Sequence, residues 1–462
     1  MTRASLALLL GAVAGLLAAT QPISDPDVFW HLATGRETLA HGLVRTDVFS
    51  WTVRGEPVSI DQWLGQALMY GAYLVGDWRG VAILRVLSVV ALVTLVAGYV
   101  SLGRPVRPLA MVLAIVPALL LTRAVWVDRP ELQGVVLFAA VLVLLGLGRD
   151  DPQGRRPARR GVALIAVPVV IGVWANVHGS FAAGVVLAVL VCAEGALHDG
   201  ARRRVYIACA AASVLASFIT PAGLATWSAP GLHLFSPPRD IQEWGVVDVR
   251  TPLGAAYVVM VALVIGCVFL GSALEPRELV IIIPVAALSL TALRQAPLLA
   301  IAAAPLFAQR ASELMHVLSE RARTTEAPRG ASVTLLTAAV LLVAAVLVAP
   351  TQPDEGAYPV AALISIPSGD GVLARYEWGG WLIWRAPATA VLVDGRLTPY
   401  VGGVLDDYRR IVAAAPGWRD AIARRGVRTL LVVPTDPVAV RAQELGWRLM
   451  ARSNGLILIA VP

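Results

Sequence analysis

The sequence predicts an α-helical polytopic membrane protein that carries a small soluble α/β domain at its C-terminal end. Of the 462 residues, 57% are hydrophobic and only 15% are charged, and the mean hydropathy is +0.72. Apolar runs long enough to cross a bilayer recur along the first 349 residues. No run of that length occurs in residues 351–462, which predicts the separate soluble domain.

The chain opens on an apolar run, residues 4–20, interpreted as an uncleaved first span although its Ala-Ala-Thr-Gln-Pro end also resembles a signal-peptide cleavage site. A polar and aromatic loop follows, residues 21–62, which is too long for a simple connector. Residues 63–76 are apolar but short, which predicts an interfacial or re-entrant helix. About eleven spans are predicted in all; after the first come 81–102, 109–121, 132–147, a fifth ending at 173, a sixth at 197, a seventh near 219, then 253–270, a ninth after 278, 297–307 and 331–348.

Residues 350–462 predict an α/β domain because short apolar segments alternate with helical patterns. The sequence therefore divides into a transmembrane domain, residues 1–349 with external loops 21–62 and 220–252, and an external domain, residues 350–462. The predicted strands are 371–375, 390–393, 428–433 and 456–461, and the predicted helices are 405–415, 416–425 and 438–445.

The predicted orientation depends on the arginines, because the sequence contains no lysine and its net charge of +7 therefore comes from arginine alone. With a cytoplasmic N-terminus, the arginine-rich loops near residues 104–107, 149–160, 202–204, 277 and 310–329 all fall on the cytoplasmic side. Loops 21–62 and 220–252 and the C-terminal domain then lie outside the bacterial cytoplasmic membrane. Basic loops of this kind face anionic membrane lipids, so the charge does not indicate a nucleic-acid partner.

The first external loop begins with the densest polar motif, Asp25-Pro26-Asp27-Val28-Phe29-Trp30-His31-Leu32-Ala33-Thr34-Gly35-Arg36. Pro26 suits the first turn of a helix, with Asp25 near its N-cap. Asp27 and His31 are four residues apart and share one helix face, which could point into a cavity. The alternative is a capped interfacial helix with Trp30 among lipid headgroups.

Other ionisable or polar residues recur at the outer ends of the predicted spans. Arg129 is either a cation reaching the membrane interface or a clamp for phosphate. Arg294 lies between two apolar runs, which predicts an inward side chain with a partner. Asn176 and His178 could bind a sugar or carboxylate, or belong to a plain polar turn. Together these loops predict a shared cavity at the outer leaflet.

Several kinds of chemistry have no motif in this sequence. It has no glycine-rich phosphate loop, no nucleophile elbow and no His-Glu-x-x-His motif, so soluble-type nucleotide chemistry is not indicated. The three cysteines lie in apolar runs without metal-ligand spacing. No cofactor is predicted with certainty, and a divalent metal is left open. Asp394-Gly395-Arg396 is interpreted as a turn with a salt bridge.

The layout resembles the GT-C superfamily of membrane glycosyltransferases, which use polyprenyl-phosphate-linked sugars at the outer membrane face. It has a first span, an outer loop that opens with an Asp-x-Asp motif, many spans and an outer soluble domain. The first-loop motif, Asp128-Arg129-Pro130-Glu131, Trp174-Ala175-Asn176-Val177-His178-Gly179 and Asp394-Gly395-Arg396 look most like an uncharacterised group of bacterial membrane proteins with a GT-C-like layout.

The resemblance implies a role for each candidate residue. Asp27 or Asp25 would be the catalytic base, with His31 and His178 orienting the acceptor or the acid. Arg129 and Arg294 would stabilise the departing phosphate, and Asn176 and His178 would contact the substrate. The acid of the second external loop would correspond to Asp240 or Glu243.

The predicted function is sugar transfer from a polyprenyl-phosphate-linked donor to a glycan, lipid or protein acceptor on the outer face. Two alternatives remain: a non-enzymatic transporter or flippase for lipid-linked saccharides, and a degenerate GT-C scaffold. Membrane lipids are the other expected partners. A transporter would carry charged residues deep within its spans, whereas this chain keeps most of them at the outer ends.

Overall fold

The computed structural model describes residues 2–102, 106–148, 157–228, 230–231, 247–269, 274–319, 331–396, 398–400, 402–453 and 455–462. By contacts between residues, the chain forms two compact units. The first contains Met1–Gln21 and Ala82–Pro350, and is called the bundle. The second contains Pro22–Val81 and Thr351–Pro462, and is called the head.

Helices account for most of the described secondary structure. In chain order they are α1 Arg3–Ala19, α2 Asp27–His41, α3 Trp63–Leu102, α4 Pro108–Thr122, α5 Pro130–Leu147, α6 Pro157–Val177, α7 Phe181–His198, α8 Arg203–Ala216, α9 Pro252–Phe269, α10 Pro276–Ser289, α11 Ala296–Ser319, α12 Ala331–Val348, α13 Tyr376–Arg385, α14 Gly403–Val412, α15 Trp418–Arg425 and α16 Pro437–Glu444.

Six of the described helices are long and apolar enough to cross a membrane, so the chain is a polytopic membrane protein. They are α3, α4 with the turn after it, α5, α6, α7 and α9. Each of the other five predicted spans is also helical, in α1, α8, α10, α11 and α12. Those five do not meet the same criteria of length and apolarity, so the count of eleven spans stays a prediction.

Helix α3 is broken at Gly76 and Asp77, where the predicted interfacial segment, residues 63–76, ends. Gly76 and Asp77 have non-helical backbone angles, and Asp77 has φ 51° and ψ −143°, a region that favours glycine. Gly80 then packs directly on the carbonyl of Ala72, where no side chain would fit. Before the break, Leu74 and Val75 are exposed, as expected of a helix that lies in the membrane interface.

Small residues allow the helices of the bundle to approach closely. Gly15 of α1 contacts Val90 of α3, and a Cβ at that position would lie 2.7 Å from the Val90 side chain. Gly134 of α5 faces the turn after α6, where a Cβ would lie 2.8 Å from Ser180 Oγ. In a membrane the hydrophobic effect does not drive helices together, because lipid is as apolar as the side chains. Close van der Waals contacts of this kind stabilise the helix pairs instead.

The C-terminal part of the head contains a five-stranded sheet with the order β2-β1-β3-β5-β4. Strand β1 pairs in parallel with β2 and β3, and β5 pairs antiparallel with β3 and β4. The predicted α/β alternation is therefore present, with the addition of α13 and β4, which the sequence did not indicate. The strands are β1 Gly369–Ala374, β2 Thr389–Val391, β3 Thr429–Val432, β4 Leu449–Ser453 and β5 Leu456–Ala460.

The first loop, residues 22–62, groups with residues 351–462 in the head. Ser50 forms a parallel bridge with Val391 of β2, and Thr52 Oγ1 donates to the carbonyl of Leu392. Trp51 Nε1 donates to the carbonyl of Arg425, 2.9 Å away. The loop extends the sheet at its β2 edge because it supplies partners for backbone groups there.

Buried ion pairs fix this junction. Arg396 lies 2.6 Å from Asp47 of the first loop and 2.6 Å from Asp394, and it donates to Tyr400 Oη. The salt bridge predicted for the Asp394-Gly395-Arg396 turn is therefore present. Elsewhere in the domain, Asp407 accepts hydrogen bonds from three arginines. The hydrogen bond from Arg424 is the largest of the effects that lower the pKa of Asp407 to about 2.

Candidate functional sites in the two units

The acidic motif of the first loop starts helix α2 in the head. The backbone N–H of Asp27 donates to Asp25 Oδ1 at 2.9 Å. Asp25 therefore satisfies one of the backbone donors at the helix start, although the N-cap itself is Pro26, so Asp25 and Pro26 each lie one position earlier than predicted. Asp27 is half-buried and is the first residue of α2. The two carboxylates thus have different surroundings, and Asp25 has the clearer structural role.

The Asp27 carboxylate packs against the backbone of Gly395. A Cβ added at Gly395 would overlap Asp27 Oδ1 and lie 2.9 Å from Trp30 Nε1. Trp30 is 8% exposed, and its Nε1 is among the buried polar atoms of the described residues without a hydrogen-bond partner. The turn at residues 394–396 therefore belongs to the acidic site, because its glycine makes room for the carboxylate and the indole.

Tyr358 is a further member of this site that the sequence did not indicate. Its ring contacts Phe29 edge-on at 5.2 Å and stacks on Trp381 at 5.8 Å. Burial, followed by the negative charges of Asp25 and Asp27, raises the pKa of Tyr358 well above its usual value. The phenol therefore stays protonated and can donate a hydrogen bond beside two carboxylates.

His31 is 3% exposed, and its ring lies on that of Trp30 with 3.6 Å between centroids. Its Nδ1 is 3.3 Å from Gln66 Nε2. The helix spacing does place His31 one turn after Asp27, as predicted, but the imidazole is deeply packed. This burial suits a residue that orients the start of α2.

The bundle holds a second set of candidate residues around Glu131. Arg294 donates to Glu131 Oε1 through Nε at 3.2 Å and through Nη2 at 2.7 Å. Arg294 therefore has the partner that its apolar setting requires. Arg129 and His178 also act electrostatically on the same carboxylate. Glu131 is the centre of this set. No role was predicted for it, although an acid in the first turn of an apolar helix needs a partner.

His178 is held by the turn between α6 and α7. The backbone N–H of Ser180 points to His178 Nδ1 at 3.2 Å, so Nδ1 accepts and the proton of a neutral ring lies on Nε2. Ser180 Oγ is 2.8 Å from the same nitrogen and accepts from Trp174 Nε1. Gly134 allows α5 to pack on this turn. The turn thus fixes the imidazole close to Glu131.

Asp128 and Arg85 form a buried ion pair beside this set. Arg85 Nη1 donates to Asp128 Oδ2 at 2.6 Å, and Arg85 Nη2 donates to the carbonyl of Gln21. The side chains are 2% and 1% exposed. A matched pair with this burial holds α3 to the loop before α5, because removing either partner would leave a charge in an apolar setting.

Three predicted site residues remain: Asn176, which has structural contacts, and Asp240 and Glu243. Asn176 Nδ2 donates to the carbonyls of Gly172 and Ile219, so the amide joins the ends of α6 and α8. Its predicted contact with substrate stays a prediction. Asp240 and Glu243 lie outside the described residues. Among the residues that are described, no group of three or more His, Cys, Asp or Glu is placed to hold a metal ion.

Comparisons with known proteins identify the class of fold. No family profile and no curated protein matches the sequence. The structure is similar to ArnT from Cupriavidus metallidurans in the apo state, with a TM-score of 0.55, 12% identity and coverage of 98% of this chain and 97% of that one. The likeness to ArnT bound to undecaprenyl phosphate has a TM-score of 0.53 and 13% identity, with the same coverage.

A third likeness is to the oligosaccharyltransferase AglB from Archaeoglobus fulgidus in complex with an inhibitory peptide and a dolichol-phosphate. Its TM-score is 0.54 at 13% identity, and it covers 92% of this chain and 69% of that one. ArnT and AglB are members of the GT-C superfamily. The chain therefore shares the fold of these two proteins, in agreement with the GT-C-like layout predicted from the sequence, whereas the count of eleven spans stays a prediction.

Proposed function

We propose that this protein is a membrane glycosyltransferase that moves a sugar from a polyprenyl-phosphate-linked donor to an acceptor on the outer face of the cytoplasmic membrane. The observation that carries the proposal is the group of cations around one carboxylate in the bundle, in a chain with the fold of enzymes of this class. ArnT has been crystallised with undecaprenyl phosphate and AglB has been obtained with a dolichol-phosphate.

The charges in the bundle suit a lipid phosphate. Arg129 and Arg294 carry two positive charges and Glu131 one negative charge, so the group is cationic before His178 is protonated. A guanidinium can hold two phosphate oxygens at once, and a positive site stabilises the phosphate as the glycosidic bond breaks. Glu131 would hold Arg294 in place until the anion arrives, because an unpaired arginine is costly in this setting.

The acidic site of the head contains the candidate for the catalytic base. Transfer requires a base that takes the proton of the acceptor hydroxyl as the sugar bond forms. We assign this role to Asp27, because its carboxylate packs against Gly395 beside Trp30 Nε1, whereas Asp25 accepts the backbone N–H at the start of α2. Tyr358 would donate a hydrogen bond to a carboxylate or to the acceptor. His31 would act through the position of Trp30 and α2.

The test compares Asp27→Asn with Asp25→Asn. Both changes are nearly isosteric, and asparagine also caps helices, so both variants should insert and fold. Asp27→Asn should lower transfer by about 10²–10⁴-fold, the usual contribution of a general base. Asp25→Asn should be nearly neutral. The measurement is the glycan product formed by membranes, normalised to inserted protein.

The outcomes separate the alternatives. If Asp25→Asn loses activity and Asp27→Asn keeps it, the two assignments are exchanged. If both variants keep full activity, the carboxylate-base mechanism is wrong, and a transporter or scaffold is favoured. Arg129→Gln is the matched test of phosphate binding, because it removes one cation and leaves the Glu131–Arg294 pair in place.

A further inference from the structure

The break in α3 opens a polar cleft in the head, defined here as the elbow cleft. Its wall includes Asp77 and Trp78 from the break, Thr351 and Gln352 from the segment before the α/β domain, and Glu355 and Arg385. Its volume is about 300 Å³. Small-molecule sites begin at about this size.

The elbow cleft combines hydrogen-bond donors with acceptors. Asp77 and Glu355 supply carboxylate oxygens, Gln352 supplies both an amide oxygen and an NH₂ group, and Thr351 supplies a hydroxyl. Thr351 and Gln352 are exposed to solvent. A hydroxyl group of a sugar both donates and accepts, so a wall of mixed polarity can satisfy several neighbouring hydroxyls.

The charges of the cleft exclude phosphate as its preferred ligand. Arg385 makes a two-pronged contact with Glu355, with Nε and Nη2 each 2.6 Å from a carboxylate oxygen. Burial alone would raise the pKa of Glu355, but hydrogen bonds from Arg385 and Trp381 hold it below its usual value, so the carboxylate is charged. Arg385 is therefore neutralised, and Asp77 leaves the cleft negative.

The aromatic side of the cleft is rigid. Trp78 contacts Phe29 at 5.6 Å, Tyr73 at 5.5 Å and Trp384 at 5.9 Å, all edge to face. Tyr73 is also within electrostatic range of Asp77 and Arg385. Asp77 therefore directly precedes a closely packed tryptophan, which limits how far the carboxylate can move before a ligand arrives.

We propose that the elbow cleft binds a saccharide unit that is neutral or carries an amino group. The proposal rests on the proposed function in one respect: we take this saccharide to belong to the acceptor, because the donor phosphate would be repelled. Binding itself requires no transfer.

The experiment is saccharide binding by the purified full chain in lipid nanodiscs. The probes are an array of neutral, amine-bearing and phosphorylated oligosaccharides at up to 10 mM, followed by calorimetry on any that bind. The key variant is Asp77→Gly. It deletes the carboxylate and places glycine at a φ of 51° that favours glycine, so the fold should be retained. A second variant is Gln352→Ala, at an exposed position outside the core.

The expected result is that neutral or amine-bearing saccharides bind in preference to phosphorylated ones, with affinity reduced at least tenfold by Asp77→Gly and several-fold by Gln352→Ala. Asp370→Asn is the matched control, because it deletes a carboxylate of the head that pairs with Arg54 and is not part of the cleft wall. It should bind like the unaltered protein.

Three results would overturn the proposal: no neutral or amine-bearing saccharide binds, phosphorylated saccharides bind as well as the others, or Asp77→Gly leaves binding unchanged. Each of these can occur while Asp27→Asn still abolishes transfer, so failure of the cleft does not imply failure of the proposed function. Conversely, if saccharides bind but membranes show no sugar transfer, the proposal for the elbow cleft is supported and the proposed transferase function is contradicted.

Discussion

Adding one methyl group at Gly395 should disable the acidic site without removing any functional group. The Cβ of alanine would overlap Asp27 Oδ1 and meet Trp30 Nε1 at 2.9 Å. The backbone of Gly395 does not have a positive φ, so alanine is not excluded by its conformation. The conflict is therefore between the new methyl group and the carboxylate.

The size of the effect follows from this geometry. To regain van der Waals contact, the carboxylate must move by roughly 1 Å, and a displacement of that size in a reacting group costs about 10²-fold in rate. Overpacking a buried contact should cost about 1–3 kcal/mol in stability. Activity should therefore fall far more than the folded fraction does.

The assay measures product formed by membranes, normalised to inserted protein, and thermal unfolding of the purified variant. Gly71→Ala is the matched control, because Gly71 is in the first part of α3 with no atom within 4 Å of the added Cβ. It should keep activity and gain about 0.5–1 kcal/mol, the usual advantage of alanine over glycine within a helix. Full activity in a folded Gly395→Ala variant would refute the assignment of Asp27 as the base.

Three other predictions concern the topology and the charged pairs. Single cysteines replacing Gln153 and Asp420 should be labelled from the cytoplasm and from outside, respectively; labelling of position 153 from outside intact cells would overturn the whole orientation. Glu131→Gln should destabilise the purified protein by about 3–5 kcal/mol, because Arg294 loses its carboxylate in an apolar setting. The exchange Glu131→Arg with Arg294→Glu should recover part of this loss, and additive single and double effects would refute the pairing. Because the folded pKa of Asp407 is depressed to about 2, its stabilisation is complete above about pH 4 and disappears as the pH falls toward 2. Asp407→Asn should remove this part of the acid sensitivity in unfolding measured between pH 2 and 6, and an unchanged pH profile would contradict it.

The helices of the membrane domain could be predicted because each is a continuous apolar run, which is visible in the sequence without knowledge of distant contacts. The end of the interfacial segment at Gly76 was also predictable, since a glycine followed by an acid interrupts an apolar helix. Arg294 could be assigned a partner because a charge between apolar runs requires one. The identity of that partner depends on which helix ends lie side by side, and residues 131 and 294 are far apart in sequence.

Helix α13 could not be predicted from its residues alone. Its sequence contains Gly379 and Gly380 between aromatic residues, a poor composition for an isolated helix. The glycines are needed because a Cβ at Gly379 would overlap the carbonyl of Val393, and a Cβ at Gly380 would lie 3.0 Å from the carbonyl of Pro26. Close packing against other parts of the head thus outweighs helix propensity.

Many individual residues of the candidate sites could be named from the sequence, but which of them lie together in space could not. Asp25 and Asp27 are only two positions apart in sequence, so their shared place at one helix start could be predicted. Tyr358 joins them from more than 300 positions later, and no local pattern around it indicates this. Glu243 could be named from sequence as a candidate acid, but it lies outside the described residues.

The pairing of the first loop with the β2 edge has a consequence for biogenesis. The loop leaves the ribosome early, whereas Val391, Leu392 and Arg425 are made only after residues 82–350 have been synthesised. At about 5–20 residues per second, the interval between synthesis of the loop and synthesis of these partners lasts roughly 20–70 s. During this time the edge-forming segment has no native partner and is open to proteases and holding chaperones. A chain that stalls or is truncated before Gly395 cannot complete the site that contains Asp27.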